Sequence, residues 1–126
     1  MVDVAFERRG RIAVVTLSGE VDMSNAPSVR QRIAESITPD DTAAVVDLSH
    51  LSFIDSAGLH ALIELGTVLE EKRQRLFLCV PQDNPIARVI DIVGMPRSVS
   101  VHPDLESAMA AAGDTLDAGP APGDDV

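Results

Sequence analysis

The first third of the chain alternates between strand-like and helix-like spacing of its apolar positions. Residues 3–7 alternate weakly and residues 12–17 are a β-branched run, which together predict a hairpin that turns at Arg9-Gly10. Residues 19–22, Gly-Glu-Val-Asp, are expected to form a loop. A helix is predicted over 25–36, because apolar residues there recur at helical spacing behind polar capping residues and an early proline.

Two continuous apolar runs further along the chain predict strands that are buried on both faces. They are 43–48, AAVVDL, and 75–80, RLFLCV, and such runs are typical of parallel sheets. A helix is predicted between them over 56–72. Another helix follows the second run, because Asn84 is a good cap for its start and Gly94 is a good end signal.

A short strand at 99–101 and a last helix that stops at Gly113 complete the order ββαβαβαβα. Strands that alternate with helices imply an α/β fold with a largely parallel sheet, and the opening hairpin makes that sheet mixed. One domain is therefore expected over 1–113. Residues 114–126 are rich in Gly, Pro, Ala and Asp and have little to bury, so they are expected to form a disordered acidic tail.

Charge and composition narrow the choice of partner. The 126 residues include 20 acidic and 10 basic side chains, a formal net charge of −10, which disfavours nucleic acid and anionic membranes as partners. Aromatic residues make up only 2% of the chain, too few for base stacking. No apolar run reaches the roughly 18 residues of a membrane span, and the first residues lack a signal-peptide layout. A cytoplasmic protein with a basic protein partner is expected.

Enzyme and metal chemistry fit the residues poorly. The lone Cys79 lies in an apolar run and is expected to be a buried small hydrophobe, and no cysteine-rich metal spacing is present. The three histidines are expected at the surface or in loops. Asp22, Asp47 and Asp55 could form the acidic cluster of a receiver domain, in which an aspartate accepts a phosphate. A receiver also needs a lysine after a late strand, but the only lysine, Lys72, lies before the strand predicted at 75–80. No catalytic residue, metal or cofactor is predicted.

The stretch FIDSAGLHAL, residues 53–62, joins a buried strand to a helix and carries the most chemistry. Asp55 or Ser56 can cap the helix, and the free N–H groups and dipole at its start would also stabilise a phosphate on Ser56. Asp55 would oppose that phosphate by charge repulsion. Gly58 either packs closely on the sheet or lets another chain approach. A G-x-S-x-G hydrolase motif is absent. Spacing alone leaves the cap and the phosphorylation site both open.

The helix that follows has an unusually wide apolar arc. Its stripe is extended on one side by further apolar residues, which leaves only a narrow polar sector. Either the helix is deeply buried, or part of the arc faces a partner. The residues of the arc are Leu59, Ala61, Leu62, Ile63, Leu65, Gly66, Val68 and Leu69.

Three stretches resemble the motifs of the STAS domain family and of its bacterial anti-sigma factor antagonists. They are LSGEVD (17–22), VVDLSHLSFIDSAGL (45–59) and RVIDIVGM (88–95). The middle stretch is the most specific, and the other two fall in the right order around it. The resemblance implies a STAS-like mixed, largely parallel sheet with helices packed mainly on one face.

The resemblance also implies a mechanism. Antagonists of this family bind an anti-sigma factor serine/threonine kinase and so free its sigma factor for transcription. The kinase phosphorylates the serine of D-S-x-G, which matches Ser56, and the antagonist then lets go until a PP2C-type phosphatase restores it. Such a protein is a binding module and not an enzyme. The residues implied for partner binding are Gly19, Glu20, Asp22, Asp55, Ala57, Gly58, Leu59 and His60.

Two departures and one alternative accompany the resemblance. Ala57 stands where many relatives have Ser or Thr, so Ser56 is the only acceptor in the motif, and His60 replaces a residue that is often small. The alternative is a STAS subunit of a transport or multiprotein signalling complex that is not phosphorylated. Such subunits often lack the Asp-Ser pair, so Asp55-Ser56 favours the switch.

Overall fold

Five strands and four helices follow each other in the order ββαβαβαβα that the sequence predicts. The computed structural model describes the backbone of residues 1–118 and the side chains of residues 1–113. The elements are β1 (Val2–Arg9), β2 (Ile12–Val21), α1 (Ala26–Ser36), β3 (Ala43–Ile54), α2 (Ser56–Glu71), β4 (Arg75–Cys79), α3 (Pro85–Val93), β5 (Val99–His102) and α4 (Leu105–Ala118).

The strands form one sheet in chain order, β1-β2-β3-β4-β5. β1 is antiparallel to β2, and the other neighbours are parallel, so the sheet is mixed and largely parallel as predicted. Each new parallel strand is added on the same side of the last one. Right-handed crossovers then place α1, α2 and α3 on one face of the sheet. α4 is not a crossover, and it covers the opposite face. The prediction of helices mainly on one face is confirmed.

The core is aliphatic and is divided by the sheet. On the three-helix face, strand residues such as Val15, Val46 and Leu78 pack in one cluster with Ile33 of α1 and Leu65 of α2. The opposite face is covered by small residues of α4, which pack in a second cluster with Ile12, Val14, Ala43, Val45, Phe77 and Cys79. Cys79 is buried, as the sequence predicts.

β2 and β3 are longer than the sequence predicts. The expected loop at 19–22 is wrong for Gly19–Val21, because β2 continues to Val21 and pairs there with the end of β3. β3 continues past residue 48 to Ile54. Two shifts of register let these polar segments stay in the ladder, and Gly19 adopts a φ of 101° beside one of them. The pairing is between distant parts of the chain, so local pattern does not reveal it.

Of the two glycines that are predicted to end helices, only one does so. Gly94 has a φ of 79° and ends α3, with its N–H donating to the Ile90 carbonyl at 2.8 Å. Gly113 lies inside α4, which continues to Ala118, because its backbone does not adopt a positive φ. The predicted disordered tail lies mostly outside the described residues, which end at 118. No helix over 1–118 is long and apolar enough to cross a membrane.

Candidate functional site

The two sequence motifs meet where β2 and β3 end side by side. Val21 is the register partner of Ile54, so the residues that follow them, Asp22 and Asp55, leave the sheet at the same edge. The Asp55 N–H donates to the Val21 carbonyl at 3.2 Å. The fold therefore brings the GEVD segment beside the D-S-x-G turn, although more than thirty residues separate them.

Asp55 is the cap of α2. Its Oδ1 accepts a hydrogen bond from the Gly58 N–H at 2.9 Å, and its extended backbone is typical of an N-cap. Its Oδ2 accepts a second hydrogen bond, at 3.2 Å, from the N–H of Met23 in the β2–α1 loop. Both carboxylate oxygens are thus engaged by backbone donors. Of the two residues that the sequence offered as caps, Asp55 is therefore the one that caps α2, and Ser56 is not.

Ser56 is the first residue of α2, and its side chain is exposed. Within the described part of the chain, no hydrogen bond engages its hydroxyl. The N–H groups of Ser56 and Ala57 also have no acceptor there, because the first turn of a helix has no carbonyls to serve them. An exposed hydroxyl therefore lies beside two free donors at the positive end of a helix dipole, a setting that favours an added anion.

Gly58 and Leu59 lie beneath this surface and not on it. A Cβ at Gly58 would be 2.6 Å from Ile54 Cγ1 and 2.9 Å from Val21 Cγ1, so the glycine lets α2 pack closely on the ends of both strands. Leu59 is 2% exposed and belongs to the core. These two predicted partner-binding residues support the exposed turn from below, and close packing on the sheet accounts for Gly58.

The β2–α1 loop is held by side-chain hydrogen bonds to its own backbone. The Asp22 carboxylate accepts from the backbone N–H of Ser24 at 2.9 Å and from the Ser24 hydroxyl. The Ser24 bonds hold the pKa of Asp22 below its ordinary value. Asn25 is the N-cap residue of α1, but its side chain makes no capping hydrogen bond. Its amide oxygen instead accepts from the Asp22 N–H, and its amide nitrogen donates to the Glu20 carbonyl. Glu20 itself is exposed.

Close backbone contact explains the glycine in this loop motif. At its φ of 101°, a Cβ on Gly19 would be 2.3 Å from the Met1 carbonyl oxygen. The same carbonyl accepts a hydrogen bond from the Glu20 N–H at 2.9 Å. Gly19 therefore shapes the backbone of the surface and has no side chain to contribute to it.

A groove between α1 and α2 begins at this turn. It encloses about 260 Å³. Met23 lines it and is 74% exposed. Sequence reasoning missed Met23, although an isolated methionine in the polar run 22–25 was an available signal. It also missed Arg30, which approaches the groove from α1. The remaining lining residues are Ala26, Pro27, Ala57, His60, Ala61 and Glu64.

Burial explains most of the wide apolar arc of α2. Its residues are buried against the sheet and its neighbouring helices except for Ile63, which is half-buried, and Val68, which is exposed. Both Ile63 and Val68 line a second hollow that continues the groove past Arg30 and Glu64. The partner-facing alternative is therefore confined to the edge of the arc that borders α1.

The described side chains do not assemble a metal centre. No group of three or more His, Cys, Asp or Glu among residues 1–113 is placed to hold an ion. Asp47 is buried and accepts from the Ser49 N–H at 2.9 Å.

Two of the three histidines lie at the surface as predicted. His50 and His60 are exposed, but His102 departs from the surface or loop position predicted for it. It is half-buried in β5 with its ring 5.8 Å from that of Phe77.

Known proteins are similar to this chain in sequence and in fold. The family model of the STAS domain matches residues 3–108. An anti-sigma-F factor antagonist of Mycobacterium tuberculosis is 26% identical over 98 residues, which cover 78% of this chain and 79% of that protein. The crystal structure of an anti-sigma factor antagonist from Mycobacterium paratuberculosis superposes with a TM-score of 0.79 at 27% identity, covering 90% of this chain and 96% of that one.

A transporter protein shares the fold as well. The crystal structure of a sulfate transporter family protein from Wolinella succinogenes superposes with a TM-score of 0.66 at 18% identity, covering 86% of this chain and 90% of that one. At this identity the likeness concerns the fold alone, so the fold is common to signalling and transport proteins.

Proposed function

This chain belongs to the STAS domain family, and on that premise we propose that it is an anti-sigma factor antagonist switched by phosphorylation of Ser56. The unmodified protein binds an anti-sigma factor serine/threonine kinase and so frees the sigma factor. The observation that carries the proposal is the exposed Ser56 hydroxyl at the start of α2, which, like the N–H groups of Ser56 and Ala57, has no hydrogen-bond partner among the described residues. The similarity to named anti-sigma factor antagonists supports the partner class.

The switch follows from the charge of a phosphate. The kinase moves the γ-phosphoryl group of ATP to the Ser56 oxygen, ADP leaves, and the hydroxyl proton passes to a base of the kinase. The phosphate adds a charge of about −1.5 to −2 and accepts hydrogen bonds from the free donors at the helix start. Because Asp55 already caps the helix, the domain stays folded while the charge of its binding surface changes. A PP2C-type phosphatase reverses the step.

The proposed partner surface surrounds Ser56. Its exposed or half-exposed members from the sequence are Gly19, Glu20, Asp22, Asp55, Ala57 and His60, and its buried support is Gly58 and Leu59. Met23 adds an exposed apolar side chain at the mouth of the groove. The surface is acidic around an apolar centre, and so it suits a partner face that is basic around an apolar contact.

Phosphorylation by the cognate kinase tests the proposal directly. Purified wild type, Ser56→Ala and Ser52→Ala are incubated with the kinase and ATP, and their intact masses are compared. Ser52 is the matched control, because it is an exposed serine close by whose hydroxyl donates to the Gly19 carbonyl. One phosphate is expected on wild type and Ser52→Ala and none on Ser56→Ala. Equal labelling of all three would refute the site.

Binding measurements test the switch itself. Ser56→Glu is expected to bind the kinase more weakly than wild type, and Ser56→Ala is expected to bind it without release by ATP. Equal affinities for all three proteins would count against the proposal.

The second candidate is a non-phosphorylated subunit of a transport or signalling complex, which the shared fold of the sulfate transporter family protein favours. Capture of transporter components by Ser56→Ala bait, without any kinase, would support that candidate.

A further inference from the structure

Three side chains form a row along the exposed edge of α2. Ser56, His60 and Glu64 are spaced at i, i+4 and i+8, and residues four apart are neighbours on a helix surface. His60 Nε2 lies 3.2 Å from Glu64 Oε2. Arg30 of α1 approaches the other oxygen of that carboxylate, with its Nε 3.7 Å from Glu64 Oε1. Glu64 therefore has two basic neighbours, whereas His60 has one acidic neighbour.

The interaction between His60 and Glu64 is weak, so His60 can exchange Glu64 for another anion. Both side chains are well exposed, at 70% for His60 and 50% for Glu64, so water screens their attraction. The order along the helix is also the poorer one, since a cation N-terminal to an anion at i, i+4 is less favourable than the reverse. A phosphate on Ser56 would offer His60 the favourable order, with the anion on the N-terminal side. It would also carry more charge than the Glu64 carboxylate.

We propose that His60 holds the phosphate when Ser56 is phosphorylated, exchanging Glu64 for the phosphate while Arg30 keeps Glu64. This rests on the proposed phosphorylation of Ser56. His60 is then a positioning residue for the modified serine. The charged groups that face His60 are Glu64 on its own helix and Arg30 on α1, and both line the same groove.

The exchange would carry the effect of the phosphate beyond the first turn of α2. His60, Glu64 and Arg30 line the groove from Ala57 onward. When His60 turns toward Ser56, the wall of the groove next to Met23 changes its shape and charge. The partner surface is thereby altered at its apolar part as well as at the serine.

The test uses protein that carries phosphoserine at position 56 by amber-codon suppression, so it needs no kinase. Urea unfolding at pH 6.5 gives the stabilisation that the phosphate confers on wild type, His60→Gln and His60→Lys. The phosphate is expected to raise the folded-to-unfolded ratio more in wild type and His60→Lys than in His60→Gln, by roughly two- to fivefold. Because His60→Lys keeps a basic group at that position, it is expected to rescue the stabilisation that His60→Gln loses.

The outcomes separate this inference from the proposed function. Equal stabilisation by phosphoserine in His60→Gln and wild type would overturn the role of His60, even if the kinase still modifies Ser56. Failure of any kinase to modify Ser56 would overturn the proposed function and leave the measured coupling unaffected. Glu64→Gln removes the competing partner, so this variant is expected to keep or increase the stabilisation. A loss of stabilisation in Glu64→Gln would also contradict the exchange.

Discussion

Asp55 Oδ2 accepts a hydrogen bond from the Met23 N–H at 3.2 Å, so the cap of α2 also fastens the β2–α1 loop. The other oxygen of the same carboxylate binds the Gly58 N–H at 2.9 Å. One side chain thus joins the D-S-x-G turn to the loop that follows GEVD, and Ser56 has no capping role. The Asp of D-S-x-G is consequently a structural residue in this chain, even though it lies beside the proposed phosphorylation site.

Replacing Asp55 should loosen the helix start and the loop together. Asp55→Ala is expected to lower the free energy of unfolding by about 1–3 kcal/mol, because the cap is lost and two backbone donors lose their acceptor. Asp55→Asn keeps one amide oxygen and should cost less. Urea unfolding measures both, with Asp83→Ala as the control, since Asp83 is exposed and the structure gives its side chain no hydrogen bond. Wild-type stability in Asp55→Ala would contradict this account.

Gly66 lets α2 approach the strand that precedes α4. A Cβ there would be 2.6 Å from Val99 Cγ2 and 3.1 Å from the backbone oxygen of Ser98. Gly66→Ala is expected to destabilise the domain by about 1–3 kcal/mol through overpacking, which exceeds the gain of about 1 kcal/mol in helix propensity. Gly113→Ala is the matched control, because a Cβ there would meet nothing within 4 Å among the described residues, and the substitution should stabilise α4. Thermal or urea unfolding would show changes of opposite sign, and equal signs would contradict the packing argument.

Asn84 joins the start of α3 to the far end of β3. Its amide nitrogen donates to the carbonyls of Ser49 and Leu51 at 3.2 and 3.1 Å, and its amide oxygen caps α3 through the Ile86 N–H. Within the described residues, β4 pairs with β3 only as far as Asp47, so Asn84 bonds to β3 on the side that β4 leaves open.

Asn84→Asp separates the two roles of that side chain. The carboxylate can still cap α3, but it cannot donate, and its charge faces two carbonyl oxygens. Faster amide hydrogen exchange is expected across residues 49–54, while α3 stays protected. Asn84→Ala should raise the exchange rate in both places. If Asn84→Asp left the exchange of 49–54 unchanged, the amide would not be holding the end of β3.

Sequence and structure agree best where the signals are local. The start and end of α3 follow from Asn84 and Gly94, whose side-chain and backbone preferences act within one turn. The ends of β2 and β3 cannot be predicted from local residues, because pairing between distant polar segments sets them. The approach of Met23 to Asp55 depends on the same pairing. Either Asp55 or Ser56 could have capped α2, so the choice between them required the geometry.

Burial should make Cys79 unreactive in the native state. Burial, followed by the neighbouring Asp47, raises the pKa of the Cys79 thiol from 9.0 to about 12. Iodoacetamide at pH 8 is therefore expected to label Cys79 only when urea unfolds the chain. Because the native pKa is the higher one, this thiol supports stability below pH 9, and its contribution declines as pH rises toward 12. Cys79→Ala should remove that part of the pH dependence, and rapid native labelling would contradict the assignment.

Met23 provides a final test of how the partner binds. An exposed apolar side chain at the centre of an interface typically contributes about 1–3 kcal/mol to binding when a partner covers it. Met23→Ser is therefore expected to weaken binding of the proposed kinase partner by roughly five- to 150-fold, without lowering the stability of the free protein. Ile92→Ser is the matched control, because Ile92 is 77% exposed on α3, against 74% for Met23, and lies outside the groove. Calorimetric titration of both variants compares them, and equal affinities would place the binding surface away from the mouth of the groove.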